Sequence, residues 1–134
     1  MIKTRGIAHF SIPVTDLARS RDFYCRHLGM TPLGGGGSGG ARMAFLDAGG
    51  DCVILVQVEG PISTIGLRDL HHAFLVAHDD YEAAVKALQE SGVKTLYEED
   101  RRGGVVNGPR FYFEDPDGNT LEIIDLTSYR GAPG

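Results

Sequence analysis

Two histidines and one glutamate stand where strands predicted from the sequence could bring them to one metal ion. His9 opens the alternating stretch HFSIPV, and His71 opens the similar stretch HHAFLV. Alternate side chains of a strand share a face, so His9 and His71 point away from the apolar side of their strands. Glu122 lies between apolar neighbours in the last predicted strand, where a carboxylate is costly to bury without a cation or a donor. Two imidazoles and one carboxylate form the facial set that suits Fe(II), Mn(II) or Zn(II), with open coordination positions for a substrate.

Each of these residues also has an ordinary structural explanation. A lone histidine in a strand is more often a packed or rim residue than a ligand, and a lone strand glutamate usually faces solvent. The metal interpretation depends on the equivalence of His9 and His71 in a repeat, with Glu122 on a strand of the same kind of module. His72 competes with His71, but its face also carries Phe74, which is expected to pack on a helix. We therefore expect His71 to be the ligand.

The elements that must position these residues are duplicated along the chain. The stretches HFSIPV, DLARSRDFYCRHLG and MTPL are followed later by HHAFLV, HDDYEAAVKALQESG and VKTL. The distance from His9 to Gly29 is 20 positions and that from His71 to Gly92 is 21 positions, so the halves differ by one residue. Both halves therefore predict the order strand, helix, strand.

Each predicted helix has a start and a stop signal. Asp16 can cap the first helix, and Gly29 stands where a left-handed residue would end it. Asp79 or Asp80 can cap the second helix, and Gly92 ends it. The apolar residues of both segments recur at helical spacing, which predicts amphipathic helices that pack on a sheet.

Three further strands are predicted after each helix, which makes each half β-α-β-β-β. They span residues 30–33, 42–47 and 52–58 in the first half, and 93–98, 110–114 and 119–126 in the second half. We predict a single α+β domain over residues 1–134, with modules 7–58 and 70–126, a linker at 59–69 and a loose tail at 127–134.

Two segments carry turn or loop signals. Asp115 to Gly118, with the sequence DPDG, is a strong hairpin signal. The run Gly34 to Gly40 lacks the Gly-Lys-Ser/Thr ending of a phosphate-binding loop, and no helix pattern follows it. We predict that it is a loop between strands which folds over a pocket as a lid.

Charge and composition limit the kind of partner. The 134 residues carry 13 Lys and Arg against 18 Asp and Glu, a formal net charge of −5, which weighs against a nucleic-acid or anionic-membrane surface. No apolar run approaches the roughly 20 residues of a membrane span or resembles a signal peptide. Cys25 and Cys52 match neither a metal pair nor a disulfide scaffold. We expect a soluble cytoplasmic protein with reduced cysteines that binds a small molecule.

Three stretches of the chain resemble the vicinal oxygen chelate superfamily, which includes glyoxalase I, fosfomycin-resistance thiol transferases, extradiol dioxygenases and bleomycin-resistance proteins. They are HFSIPVTDLARSRDFYCRHLGM, HHAFLV and FYFEDPDGNTLEIID, and the resemblance covers residues 7–126. It implies two modules that form an incomplete mixed β-barrel with the helices outside. It also implies a divalent metal (Fe, Mn, Zn, Ni or Co) held by His9, His71 and Glu122, and a homodimer formed by pairing or swapping modules.

Two further residues are candidates for the pocket. The resemblance implies that Tyr112 lines it, although a two-residue turn would put Phe111 opposite Glu122, so that Tyr112 would need a bulge. Leu55 stands where bacterial glyoxalase I has an additional glutamate. Gln57, two residues further on the same strand face, could coordinate the metal or hydrogen-bond a ligand water. An amide is no general base, which lowers the expectation of glyoxalase activity.

The segment before the FYF strand also departs from a family pattern. It reads EEDRRGGVVNGPR and contains Arg101, Arg102 and Arg110, but not the lysine and serines with which fosfomycin-resistance members grip a phosphonate. Arginine can bind an oxyanion. Two adjacent arginines after three acids are nevertheless typical of a solvated loop.

Taken together, these features favour a divalent-metal enzyme whose small substrate chelates the metal through adjacent oxygens, as a lyase, isomerase or oxygenase. One alternative is a metal-free drug-sequestering protein of the bleomycin-resistance type, although such proteins typically lack the ligand set. Others are a fosfomycin-resistance-like thiol transferase and a scaffold that keeps the ligands but only binds or regulates. Extradiol dioxygenases commonly have longer chains, which counts against that reaction.

Overall fold

A computed structural model describes residues 1–34, 42–63 and 69–130 of the chain. The protein divides into two compact units, Met1–Ser63 and Thr64–Gly134, and their boundary falls in the predicted linker. Within the described ranges, each unit contains one α-helix and one open mixed sheet. The α+β class and the β-α-β-β-β order of both halves are thereby confirmed. The predicted lid lies outside the described residues apart from Gly34.

The first unit places its helix between the first two strands. Its elements are β1 His9–Val14, α1 Leu17–Leu28, β2 Thr31–Pro32, β3 Met43–Asp47 and β4 Cys52–Gln57. The sheet order is β1-β4-β3-β2, with β1 parallel to β4 and the other pairs antiparallel. As predicted, the Asp16 side chain caps α1 by accepting the Arg19 N–H at 3.0 Å, and Gly29 ends the helix at φ +65°.

The two faces of the first sheet differ in burial. Ile12, Val14 and Leu55 are fully buried on the face that packs against α1. His9 lies on the opposite face, is exposed, and is the register partner of Cys52. The strand alternation predicted from HFSIPV is therefore confirmed, and it leaves His9 on the face that the helix does not cover.

The second unit repeats this plan with one added strand. Its elements are β5 His72–Leu75, a short 3₁₀ turn His78–Asp80, α2 Tyr81–Glu90, β6 Thr95–Arg101, β7 Val106–Glu114, β8 Thr120–Ile124 and β9 Ser128–Tyr129. The sheet order is β5-β8-β7-β6, β5 is parallel to β8, and β9 pairs with β7.

Two details of the second unit correct the sequence analysis. Asp80 precedes α2 but makes no side-chain cap hydrogen bond, because it sits in helical geometry at the end of the 3₁₀ turn. The predicted loose tail is wrong at Ser128 and Tyr129, since Thr127 N–H donates to Asn107 O at 2.9 Å and starts the pairing of β9 with β7. The tail residues 131–134 lie outside the described residues.

The DPDG hairpin sets the register of the last two strands. Asp115 Oδ1 accepts the backbone N–H groups of Asp117 and Asn119, both at 2.9 Å. The connection between β7 and β8 is therefore longer than two residues, and it places Tyr112 directly opposite Glu122. The expectation of Phe111 opposite Glu122 is wrong because it assumed a two-residue turn, and no bulge between these strands is needed.

Gly108 allows the chain after β8 to lie against β7. Its φ is +128°, and a Cβ at this position would overlap Asp125 O and approach Thr127 N to 2.9 Å. In the native chain the backbone of residues 125–127 fills the space where that Cβ would lie. Asp125 N–H donates to Pro109 O at 2.9 Å. Any side chain at position 108 would push these two segments apart.

We therefore expect Gly108→Ala to lower the free energy of unfolding by about 3 kcal/mol or more, because strain and a backbone clash act together. Gly103→Ala is the matched control, since Gly103 also has a positive φ of +80° but no atom near its missing Cβ. That variant should lose only about 1 kcal/mol from backbone strain. Urea unfolding measures both changes, and equal losses would contradict the clash.

Candidate metal centre

His71 and Glu122 meet on the face of the second sheet opposite α2. His71 immediately precedes β5, and its Nε2 lies 3.2 Å from Glu122 Oε1 on β8. The glutamate side chain is 3% exposed and that of the histidine is 35% exposed. The Tyr112 ring packs edge-on against His71 with the centroids 5.7 Å apart. The structure thus brings together two of the three predicted ligands.

The separation of these two atoms fits a shared metal ion. Ligand atoms at about 2.0–2.2 Å from one ion, in neighbouring tetrahedral or octahedral positions, lie about 2.8–3.6 Å from each other. The 3.2 Å between Nε2 and Oε1 falls within that interval. A buried carboxylate beside an imidazole is also the kind of donor pair that Fe(II), Mn(II) and Zn(II) accept. The residues present therefore fit a divalent metal.

Burial and two charged neighbours act on the hydroxyl of Tyr112. Burial and, after it, the charge of the Glu122 carboxylate raise the pKa of Tyr112 to about 12. The Arg110 guanidinium acts in the opposite direction. Tyr112 is therefore a neutral phenol, and it lies opposite Glu122 in the register. That it lines a pocket stays a prediction from the family resemblance.

His72 lies on the other face of β5, where Phe74 also points. Burial lowers the pKa of His72, and the neighbouring His71 lowers it further, whereas Asp115 raises it. Its register partner is Leu121, and the partner of the next residue, Ala73, is Glu122. The choice of His71 over His72 as the partner of Glu122 agrees with this geometry.

His9 lies in the first unit, on the exposed face of β1. Among the residues that the structure describes, no group of three or more His, Cys, Asp and Glu side chains is gathered in a metal-binding arrangement. The pair His71 and Glu122 belongs wholly to the second unit. A role for His9 as a third ligand remains a prediction from the repeat.

Gln57 occupies a different place from the one predicted. It is the register partner of Val14, on the side of the sheet that packs against α1. Its Oε1 accepts the backbone N–H of Leu17, the first residue of α1, at 2.9 Å. The prediction that Gln57 faces the metal pocket is therefore corrected, because His9 and Gln57 are on opposite faces of the sheet.

Substitutions of Gln57 test this assignment. Gln57→Ala should lower the free energy of unfolding by about 1 kcal/mol, since a helix N-terminal N–H loses its acceptor. Gln57→Glu should leave the free energy of unfolding unchanged or raise it by about 0.3–1 kcal/mol, because a carboxylate at a helix N-terminus is favourable. Neither variant should change Mn(II) affinity in a calorimetric titration. A clear gain in affinity in Gln57→Glu would show that the side chain reaches the metal.

The three arginines of the segment EEDRRGGVVNGPR have different environments. Arg101 pairs with Glu99 at 2.9 Å and Arg102 pairs with Asp100 at 2.7 Å, both at the surface. The surface placement expected of adjacent arginines holds for these two, although Arg101 closes β6 rather than lying in a loop. Arg110 instead lies in β7 and is 3% exposed. The predicted strand 110–114 already began at Arg110, and its spacing of two residues from Tyr112 put both on one strand face, but its burial was not predicted.

The fold defines an α+β protein with two β-α-β-β-β modules in sequence. The chain belongs to the Glyoxalase/Bleomycin resistance protein/Dioxygenase superfamily, whose family model matches residues 6–123. This match confirms the resemblance to the vicinal oxygen chelate proteins. None of the described helices is long and apolar enough to cross a membrane.

The chain is similar over most of its length to two transferases. It is 29% identical over 122 residues to glutathione transferase FosA of Serratia marcescens, covering 89% of this chain and 79% of that protein. It is 31% identical over 120 residues to metallothiol transferase FosB of Staphylococcus epidermidis, covering 89% and 82%. Its fold matches that of a FosX variant from Listeria monocytogenes in complex with Mn(II) and 1S,2S-dihydroxypropylphosphonic acid. For that structure the TM-score is 0.72, the identity 18%, and the coverage 91% and 90%.

Proposed function

We propose that the protein is a divalent-metal-dependent enzyme that acts on a small molecule bound to the metal through adjacent oxygens. The observation that carries this proposal is the buried pair of His71 Nε2 and Glu122 Oε1 at 3.2 Å. A carboxylate that is 3% exposed gains most from a cation. The names of the FosA and FosB relatives, a glutathione transferase and a metallothiol transferase, support the same assignment.

In this proposal His71, Glu122 and His9 hold the metal. Three protein ligands leave coordination positions open for substrate oxygens. The metal, when bound, acts as a Lewis acid that polarises those oxygens. Tyr112 lies opposite Glu122 in the register, and its ring packs edge-on against His71. His9 comes either from the same chain or from a second copy, because we also propose that the protein is a homodimer.

The relatives favour one reaction among those open to the superfamily. We propose addition of a thiol to the epoxide of a small phosphonate such as fosfomycin. In this step the thiolate sulfur forms a bond to one epoxide carbon, the bond between that carbon and oxygen breaks, and the oxygen takes up a proton. The reaction needs no oxidant. It also needs no carboxylate base at β4, in contrast to proton abstraction next to a carbonyl.

Metal binding tests the site directly. Protein purified without chelator should contain one divalent ion per site, and calorimetry should detect binding of Mn(II) by the metal-free protein. His71→Ala, Glu122→Ala and His9→Ala should each weaken binding by about 100-fold or more, because each removes a direct ligand. His27→Ala on α1 is the control and should bind as the wild type does. If the protein binds none of Fe(II), Mn(II), Zn(II), Ni(II) and Co(II), the proposal is wrong.

The reaction is tested separately by phosphorus NMR of fosfomycin with glutathione or L-cysteine and Mn(II). We expect conversion that is lost on chelation and in Glu122→Ala. Metal binding without conversion would support the metal centre but rule out fosfomycin as the substrate. A drug-sequestering protein would instead bind bleomycin equally well in the wild type and in a variant with His9, His71 and Glu122 all replaced by alanine.

A further inference from the structure

Tyr97 is an aromatic side chain of β6 on the sheet face that carries the candidate metal ligands of the second unit. The sheet order β5-β8-β7-β6 puts Glu122 and Tyr112 on the two central strands, between His71 beside β5 and Tyr97 on the edge strand. The ring centroids of Tyr97 and Tyr112 are 4.9 Å apart, and the rings are inclined by 30°. Tyr112 in turn packs edge-on against His71 at 5.7 Å. Two ring contacts therefore connect a candidate metal ligand to Tyr97.

An irregularity in the strand pairing brings Tyr97 to this face. The register of β6 on β7 shifts by one residue between Thr95 and Glu98, so that two residues of β6 stand against Tyr112 alone. In an unbroken register Tyr97 would share the face of Thr95 and would point toward α2. The shift also turns Glu98 to the helix side, where its Oε2 accepts the hydroxyl of Tyr81 at 3.0 Å. Bulges of this kind commonly re-aim a side chain next to a functional site.

The ring of Tyr97 is open to a ligand, whereas that of Tyr112 is not. Tyr97 is 45% exposed and Tyr112 is 4% exposed. Aromatic rings attract each other in offset or edge-on arrangements with centroids about 4.5–7 Å apart, and Tyr112 already packs on Tyr97 in this way. A flat ring placed on the exposed part of Tyr97 would extend the same stack and bury apolar surface that now faces water.

We propose that Tyr97 is a specificity-determining residue, which stacks on a planar aromatic group of the small molecule that binds the metal. This inference rests on the proposed metal centre, and it extends the proposed phosphonate substrates to those that carry an aromatic substituent. Tyr112 supports the ring of Tyr97 from behind. A purely structural Tyr97 would only stabilise the pairing of β6 with β7, as cross-strand aromatic pairs do. It would then affect the stability of the protein but not its choice between ligands.

Calorimetric titration of the Mn(II)-loaded protein with phenylphosphonate and with methylphosphonate separates the two roles. Both probes present the same oxygens to the metal and differ only in the ring. The wild type should bind phenylphosphonate about 10-fold more tightly, because stacking adds to the burial of apolar surface. In Tyr97→Ala the ratio of the two affinities should fall to about 2 or less. Tyr97→Phe should keep the wild-type ratio, since stacking needs the ring and not the hydroxyl. Tyr129→Ala, which removes a similarly exposed tyrosine from β9, is the control and should also keep it.

Equal affinities of the wild type for the two probes would overturn the role of Tyr97, and so would a wild-type ratio in folded Tyr97→Ala. Thermal unfolding without a probe shows whether that variant is folded. If it is not, Tyr97→Leu decides, because it keeps an apolar side chain but lacks the flat ring, and it too should lower the ratio. Binding of Mn(II) but of neither probe would overturn the inference while leaving the metal centre intact. Absence of Mn(II) binding by the wild type would refute the metal centre, and this inference with it.

Discussion

The second half of the protein is organised around the burial of one carboxylate. Glu122 lies in a five-residue strand in which every residue is buried, and it is the only charged residue of that strand. Hydrophobic packing of Leu121 and Ile123 on the helix side fixes the strand, so the glutamate cannot move to solvent without giving up that core. The imidazole of His71 lies beside it, with Nε2 at 3.2 Å from Oε1, and Tyr112 lies opposite it in the register.

The sequence predicts the modules well because their signals are local. Alternation in HFSIPV decides which face of β1 is buried, and Asp16 and Gly29 mark both ends of α1 through short-range hydrogen bonds and a left-handed φ. The second helix shows the limit of that approach. Asp80 has a suitable residue type for a cap, but a preceding 3₁₀ turn puts it in helical geometry, where its side chain makes no cap hydrogen bond.

The errors at the candidate site share a different cause, since each depends on a contact distant in sequence. The side chain of Gln57 accepts the backbone N–H of Leu17, which lies 40 residues earlier in the chain. The sequence around position 57 does not indicate that the first residue of α1 lies beside it. The register of Tyr112 follows from the length of the DPDGN connection, which Asp115 sets by folding its carboxylate over two later N–H groups. The burial of Arg110 depends on the strand continuing back to Val106, whereas sequence reasoning treated that segment as a loop.

The corrected place of Gln57 bears on which chemistry the site can perform. The face of β4 that shares a side with His9 carries Cys52, Ile54 and Val56, and none of these is a carboxylate. An isomerase that removes a proton next to a carbonyl would need a base there, and an amide turned toward α1 cannot serve. Addition of a thiol to an epoxide does not need such a base. The thiol is the second substrate and supplies the nucleophile, so the site has only to hold and polarise the epoxide. The absence of a carboxylate from this face of β4 is consistent with the proposed thiol addition, and this argument does not use the similarity to FosA and FosB.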